Sequence, residues 1–178
     1  MNILVTRHGE TDWNLLKKIQ GRIDNDLNEK GKNQASETRE KLKDEKIDLI
    51  ICSPLKRTRQ TAEIINEGRN IEIIYDEDII ERDFGEFEGC DVSELDKVDF
   101  WNSLNDFSSK HAENVDDLFK RVNSFLEKIK KKYPDKRILI VTHGGVSIPI
   151  YCYFNEIDCN KKLYHFSLKN CEVASYEL

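Results

Sequence analysis

Short apolar runs alternate with longer polar or amphipathic stretches along most of the chain. Several runs are apolar at every position, which is typical of strands whose two faces are both covered. The last run, CEVASYEL, alternates apolar and polar residues and predicts a half-exposed strand. The pattern therefore predicts strands over 3–7, 47–52, 71–75, 137–142 and 171–178.

The stretches between these runs carry helical patterns. The clearest is 113–133, where apolar residues recur on one helix face, acids come first and lysines come last. This apolar face consists of Val115, Leu118, Phe119, Val122, Phe125, Leu126 and Ile129. Further helices are predicted over 28–46, 55–67, 93–107 and 144–154, with loops over 13–27 and 76–91.

Alternation of strands and helices predicts an α/β fold. We expect a three-layer α/β/α sandwich with a mostly parallel central sheet, because buried parallel strands need helices on both faces. A length of 178 residues suits a single domain, which we expect to cover 1–178. In such sheets, ligands bind beyond the carboxyl ends of the strands.

Charge and composition narrow the classes of partner. The formal net charge is −6 and no long basic run occurs, which argues against nucleic-acid and membrane partners. No apolar stretch approaches the roughly 18 residues of a membrane span. The first strand-like run begins at residue 3, so we expect no signal peptide and a cytoplasmic protein. Five cysteines without a C-x-x-C pair predict neither disulfides nor zinc, with Cys52 and Cys152 buried.

Two of the predicted strands end in the same His-Gly pair. The residues at or just after the strand ends are Arg7, His8, Ser53, Arg57 and His143. If these strands are neighbours, two imidazoles and two guanidiniums meet at one pocket. Guanidinium forks match phosphate oxygens and a neutral imidazole accepts a phosphoryl group, so the pattern favours phosphoryl chemistry.

The residues around the two histidines refine this hypothesis. Gly9, Gly144 and Gly145 permit a sharp exit from each strand and a close approach of ligand to backbone. Neighbouring guanidiniums would hold His8 neutral near pH 7, so that it is available as a nucleophile. The physics leaves two roles open for His143, either donating to the transferring oxygens or acting in acid–base chemistry.

A phosphoryl reaction also needs a proton donor for the leaving group. Loop 76–91 offers many carboxylates, and composition alone does not choose among them. The candidates are Asp76, Glu77, Asp78, Glu81, Asp83, Glu86 and Glu88.

A metal site is the rival interpretation of the two strand-end histidines. It would need further ligands such as Asp12 or Asp24. The nearby arginines would repel a cation, so we expect no metal and no other cofactor. The remaining histidines, His111 and His165, have no such setting and are interpreted as structural.

Six segments together resemble the histidine phosphatase superfamily, the phosphoglycerate-mutase-like family. They occur in family order across nearly the whole chain, which makes the combination far more specific than an RHG triplet alone. The segments are TRHGETDWN (6–14), QGRIDNDLNEKGKNQA (20–35), CSPLKRTRQTA (52–62), IIERDFGEFEG (79–89), ENVDDLFKRV (113–122) and VTHGG (141–145).

The resemblance implies a role for each site residue and one antiparallel edge strand. His8 would become phosphohistidine, and Glu81 would protonate the leaving group and then activate water. The phosphoryl oxygens would be held by Arg7, Arg57 and His143, with help from Asn14 and the amide of Gly144. Gln20 and Gly21 would face the substrate at the rim. No metal is required, because the arginines supply the charge stabilisation.

Two departures from the family pattern bear on the activity. Ala112-Glu113-Asn114 stands where the family often has Gly-Glu-Ser. The segment between Gly89 and Glu113 is compact, whereas mutases of the family usually carry a longer insertion that encloses a bisphosphorylated intermediate. We therefore expect a metal-independent phosphomonoesterase rather than a phosphoglycerate mutase, its main alternative; a catalytically inactive phospho-ligand-binding module is a third interpretation.

The expected substrate is a small phosphorylated metabolite. The pocket rim is predicted to come from residues 20–25 and 84–112. The aromatic residues of this rim are Phe84, Phe87, Phe100 and Trp101. Sequence leaves the identity of the phosphomonoester and the oligomeric state open.

Overall fold

Five strands form a single mixed sheet in the computed structural model, which describes residues 2–157 and 163–177. The strands are β1 (Asn2–Arg7), β2 (Leu49–Cys52), β3 (Ile73–Tyr75), β4 (Arg137–Thr142) and β5 (Val173–Glu177). Their order across the sheet is β3-β2-β4-β1-β5. All neighbouring pairs are parallel except β1 with β5. The predicted mostly parallel sheet and its antiparallel edge strand are both confirmed.

Helices and short 3-10 turns connect these strands. The α-helices are α1 (Asp12–Leu15), α2 (Glu29–Lys41), α3 (Lys56–Asn66), α4 (Lys97–Phe100), α5 (Val115–Lys132) and α6 (Gly144–Asn155). The 3-10 turns are Glu77–Ile79, Gly85–Phe87, Val92–Glu94, Ser108–Lys110 and Leu163–Phe166. None of the helices in the described ranges is long and apolar enough to cross a membrane.

Two apolar cores lie on opposite faces of the sheet, because successive side chains of a strand point to opposite sides. Ile138 and Ile140 of β4 pack with the apolar face of α5. Leu139 and Val141 of the same strand pack on the other side with residues of α3 such as Ile65. The alternation confirms the three-layer α/β/α architecture.

Several predicted boundaries were wrong, most clearly the helix over 93–107. Only α4 and two flanking 3-10 turns form in this region. Asp91 and Asp96 each cap a new turn, and the Asn102 side chain accepts from the Leu104 amide. Such side-chain bonds to the backbone compete with a continuous helix.

Smaller corrections concern the other connections. The helix predicted over 28–46 ends at Lys41. The stretch predicted as a loop over 13–27 overlaps α1, which Thr11 and Asn14 stabilise through a reciprocal capping box. Cys52 and Cys152 are buried as predicted, and none of the four cysteines within the described ranges forms a disulfide. Cys159 and Leu178 lie outside the described residues.

The register of the sheet brings the two His-Gly ends together. Arg7 pairs with Thr142, and the His8 amide donates to the Thr142 carbonyl at 3.0 Å. His8 and His143 therefore leave adjacent strands at the same edge. After His8 the chain passes very close to α2, since a Cβ on Gly9 would stand 2.9 Å from the Gly31 carbonyl carbon. Only glycine fits this turn without displacing the helix.

Truncating the middle strand tests the core. Ile140→Ala removes a fully buried side chain from β4 and should lower the free energy of unfolding by about 2–5 kcal/mol. The control Leu104→Ala alters a side chain that is 85% exposed, and it should change the free energy of unfolding by less than about 0.5 kcal/mol. Urea denaturation measures both, and similar losses in the two variants would contradict the assigned core.

Candidate active site

A cavity of about 330 Å³ lies beyond the carboxyl ends of β1 and β4. It gathers nearly every residue singled out in the sequence. The predicted site residues that line it are Arg7, His8, Asn14, Gln20, Gly21, Arg57, Glu81 and Gly144. His143 is fully buried and is not among the described lining residues.

His8 lies at the floor of the cavity and is only 2% exposed. Its Nδ1 is 2.7 Å from the Gly9 carbonyl oxygen, and its Nε2 accepts from Arg57 Nε at 3.3 Å. The carbonyl can only accept, so Nδ1 carries the proton and Nε2 holds a lone pair. Burial, and then the charges of Arg57 and Arg7, hold the pKa of His8 well below its ordinary value. The ring is therefore a neutral imidazole near pH 7.

His143 packs edge-on against His8, with the ring centroids 5.3 Å apart. Its Nε2 is 2.7 Å from the Ser53 hydroxyl oxygen, whereas its buried Nδ1 has no partner within the described structure. Burial, and then the charge of Arg57, lowers the pKa of His143 well below its ordinary value. His143 therefore presents a neutral ring with one unengaged nitrogen.

Backbone carbonyls fix the Arg57 guanidinium. Its Nη1 donates to the Ile23 carbonyl at 2.8 Å and its Nη2 to the Gly21 carbonyl at 2.7 Å. The side chain is fully buried, and burial lowers its pKa to about 10, which leaves it charged at neutral pH. The Gly21 carbonyl thus helps to orient Arg57. Because this contact is made by the backbone, it could not be inferred from the residue type.

Arg7 approaches the cavity from the end of β1. One of its terminal nitrogens, Nη1, donates to the Leu168 carbonyl at 3.1 Å. Its Nε is buried without a partner among the described residues. Arg7 and Arg57 together place two guanidinium groups around one small volume, which favours a doubly charged anion.

Glu81 is the one acid of the seven candidates that lines the cavity. Its carboxylate accepts from the backbone amides of Arg82 at 2.9 Å and Gly145 at 3.2 Å. A Cβ on Gly145 would stand 3.2 Å from Glu81 Cδ, and one on Gly144 would stand 3.2 Å from Arg7 Cζ. The paired glycines therefore leave room for functional side chains to approach the first turn of α6.

Asn14 and Gln20 line the cavity near His8 and are linked by Thr11. The Thr11 hydroxyl lies 3.1 Å from Asn14 Oδ1 and 2.9 Å from Gln20 Oε1. Because the side-chain oxygens are engaged in these contacts, the amide nitrogens are the groups available to an anion.

The rim differs in detail from the prediction. Phe84, Phe100 and Trp101 line the cavity as predicted, whereas Phe87 packs behind Phe100 at a centroid distance of 5.5 Å. Lining residues that sequence reasoning missed are Lys18, Ile19, Ile148, Tyr164 and Ser167. Lys18 and Ile19 directly precede Gln20, and Ile148 lies one turn after Gly144, just outside the motifs. Tyr164 and Ser167 come from a later segment that no motif marks.

The alternative metal site has no ligand set among the described residues. Asp12 and Asp24 are not among the described residues that line the cavity. Within residues 2–157 and 163–177, no cluster of three or more His, Cys, Asp or Glu side chains could hold a metal ion. His111 and His165 are exposed and lie outside the cavity.

The sequence of this chain is similar to those of known proteins. The histidine phosphatase superfamily (branch 1) matches residues 3–178. The protein named "Uncharacterized phosphatase PhoE" of Bacillus subtilis is 43% identical, over 97% of this chain and 88% of its own length. Phosphoserine phosphatase 1 of Hydrogenobacter thermophilus is 33% identical, over 100% of this chain and 85% of its own length.

The fold is also similar to that of a solved structure. Bacillus stearothermophilus YhfR superposes with a TM-score of 0.89 at 28% identity, covering 99% of this chain and 91% of that chain. The family match spans nearly the whole sequence, and both relatives are named as phosphatases. The chain belongs to the histidine phosphatase superfamily, branch 1.

Proposed function

We propose that this protein is a metal-independent phosphomonoesterase that acts on small phosphorylated metabolites through a phosphohistidine intermediate on His8. The observation that carries the proposal is the state of His8, a neutral imidazole whose Nε2 lone pair adjoins Arg57. Glu81 lines the same cavity and can serve the proton transfers. The phosphatase names of the relatives support hydrolysis as the outcome.

In the first step, His8 Nε2 attacks phosphorus as the bond between phosphorus and the ester oxygen breaks. The electron pair of that bond leaves with the ester oxygen, which takes a proton from the acid form of Glu81. The Nδ1 proton stays on the ring, hydrogen-bonded to the Gly9 carbonyl, so the imidazole needs no separate base before it attacks.

In the second step, water gives a proton to the Glu81 carboxylate and attacks phosphorus. The bond between phosphorus and Nε2 breaks, its electron pair returns to the ring, and inorganic phosphate leaves. Glu81 ends the cycle protonated, as it began, so the same group serves as acid and then as base. Two backbone amides orient this carboxylate for both transfers.

The remaining residues stabilise charge on the phosphoryl oxygens. Arg7 and Arg57 supply fixed positive charge, and the nitrogen atoms of Asn14 and Gln20 supply further donors. His143 contributes through Nδ1 when the Ser53 hydroxyl donates to Nε2, because the imidazole proton then lies on Nδ1. The amide of Gly144, at the first turn of α6, adds the favourable end of the helix dipole.

Phosphoglycerate mutase remains the alternative, with phospho-His8 transferring its phosphoryl group to a phosphoglycerate instead of water. The segment between Gly89 and Glu113 contains only short turns and the four-residue helix α4. Such a compact cap leaves water access to the cavity and favours hydrolysis. Product analysis with 3-phosphoglycerate, with and without 2,3-bisphosphoglycerate, separates free phosphate from isomerised product.

Replacement of the proposed nucleophile tests the covalent mechanism. With EDTA present, wild-type protein should release phosphate from aryl phosphates and a panel of phosphorylated metabolites, and His8→Ala should lose at least about a thousandfold in kcat. Mass spectrometry of digests prepared without exposure to acid should find the phosphoryl group on His8. The exposed His111→Ala is the matched control. Turnover that survives His8→Ala or requires a divalent metal would refute the proposal.

Replacement of Glu81 separates the two steps. With an alkyl phosphate, Glu81→Gln should lose about 10²–10⁴-fold in kcat, because the leaving alkoxide needs its proton. With p-nitrophenyl phosphate, whose leaving group needs no acid, a burst of nitrophenolate should accompany the accumulation of phospho-His8. The control Glu86→Gln changes an acid of the same loop that lies outside the cavity lining and should retain wild-type kinetics. Equal losses with both substrates and no burst would exclude this role.

The ionisation of the two buried histidines can be observed directly. Because both pKa values lie well below ordinary, the imidazole ¹⁵N resonances should keep a neutral pattern from pH 8 down to about pH 6. For His8 the pattern should be that of the Nδ1–H tautomer. Spectra of His8→Asn and His143→Asn assign the signals. A titration midpoint near the ordinary value of about 6.5 for His8 would contradict the neutral nucleophile.

A further inference from the structure

Arg82 follows Glu81 in the chain, yet the proposed reaction uses only its backbone amide and gives its side chain no part. It is one of the largest fully buried side chains in the described structure. Its Nε donates to the Glu113 carbonyl and its Nη1 to the Phe100 carbonyl, both at 2.8 Å. A long cationic side chain so placed ties together three segments that are distant in sequence.

Aromatic rings enclose the same guanidinium. Its Cζ lies 4.0 Å from the ring centroid of Phe100, 5.0 Å from that of Trp101 and 5.8 Å from that of Phe84. Burial lowers the pKa of Arg82 to about 10, so the group stays cationic at neutral pH and interacts with the ring faces. All three rings line the cavity, and we refer to Phe84, Phe100 and Trp101 as the aromatic wall.

The wall has little regular structure of its own to hold it. Phe100 ends the four-residue helix α4, and Phe84 precedes a single 3-10 turn. Phe84 and Phe100 stack at a centroid distance of 5.2 Å, with Arg82 beside both. Trp101 also lies within 3.3 Å of the place where a Cβ on Gly145 would stand, so the wall borders the first turn of α6.

We infer that Arg82 is a positioning residue that fixes the aromatic wall and thereby selects phosphomonoesters whose leaving group is large and flat enough to contact it. The inference rests on the proposed function for its substrate. The phosphoryl group would be held by the residues around His8, and Arg82 would act only through the rings. Loss of Arg82 should therefore change selectivity rather than phosphoryl transfer itself.

Steady-state kinetics with two substrates test the inference. For 1-naphthyl phosphate, Arg82→Lys should raise KM about tenfold, because lysine cannot donate to both carbonyls as a planar fork. Arg82→Met should raise KM further. For ethyl phosphate, which is too small to reach the wall, KM and kcat should change by less than about threefold. Parallel losses with both substrates, or no change with either, would overturn the inference.

A matched control variant separates the effect of Arg82 from general effects of misfolding. A binding measurement gives a result that does not depend on turnover. Arg69→Lys alters another arginine that donates to two backbone carbonyls, those of Leu42 and Glu45, outside the described cavity lining. It should leave the ratio of the two KM values unchanged. Calorimetry with 1-naphthylmethylphosphonate and methylphosphonate should show that Arg82→Lys weakens only the former.

These readouts distinguish the two proposals from each other. Wild-type protein that binds 1-naphthylmethylphosphonate but hydrolyses neither phosphate ester would contradict the proposed function while leaving the role of Arg82 measurable. Equal phosphonate affinities in the wild type and Arg82→Lys would contradict the role of Arg82 alone.

Discussion

Repulsion between like charges is the constraint on which the site depends. Arg7 and Arg57 bring two guanidinium groups into one buried volume beside two imidazoles. Burial disfavours the charged form of either histidine, and protonation would also add a third positive charge in a medium that screens poorly, so both rings remain neutral. The same repulsion makes a dianionic phosphoryl group a favourable occupant. Charge crowding thus links the ionisation of His8 to the charge of the ligand that the cavity favours.

A second charge network links the Glu81 segment to Arg22 and to the start of α5. Glu113 accepts from Arg121 Nε at 2.6 Å and Nη2 at 2.9 Å, and Arg22 approaches it at 3.6 Å. Arg22 also donates to the Glu81 carbonyl at 3.2 Å. The departures from the family pattern around Glu113 leave this carboxylate in place. Asn114 does not cap α5 with its side chain, which instead accepts from the Phe107 amide.

Sequence was sufficient for those parts of the molecule that follow from periodicity and strand ends. The apolar runs located the strands, and the two His-Gly ends identified the edge of the sheet that carries the cavity. Composition could not choose Glu81 among seven acids, because the choice depends on which carboxylate reaches the amide of Gly145. The family resemblance supplied that assignment, and the geometry places Glu81 in the cavity. The helix predicted over 93–107 was wrong because Asp91, Asp96 and Asn102 accept from nearby backbone amides. The Phe100 carbonyl also accepts from the side chain of Arg82, a contact with a distant segment that no local pattern shows.

The hydrogen bond between His8 Nδ1 and the Gly9 carbonyl has a consequence for the energy of the intermediate. A carboxylate in that place would lend negative charge to the ring and stabilise a phosphorylated imidazole. A carbonyl cannot ionise, so it fixes the orientation of the ring without adding a counter-charge. On the proposed mechanism, phospho-His8 therefore keeps a high phosphoryl-transfer potential.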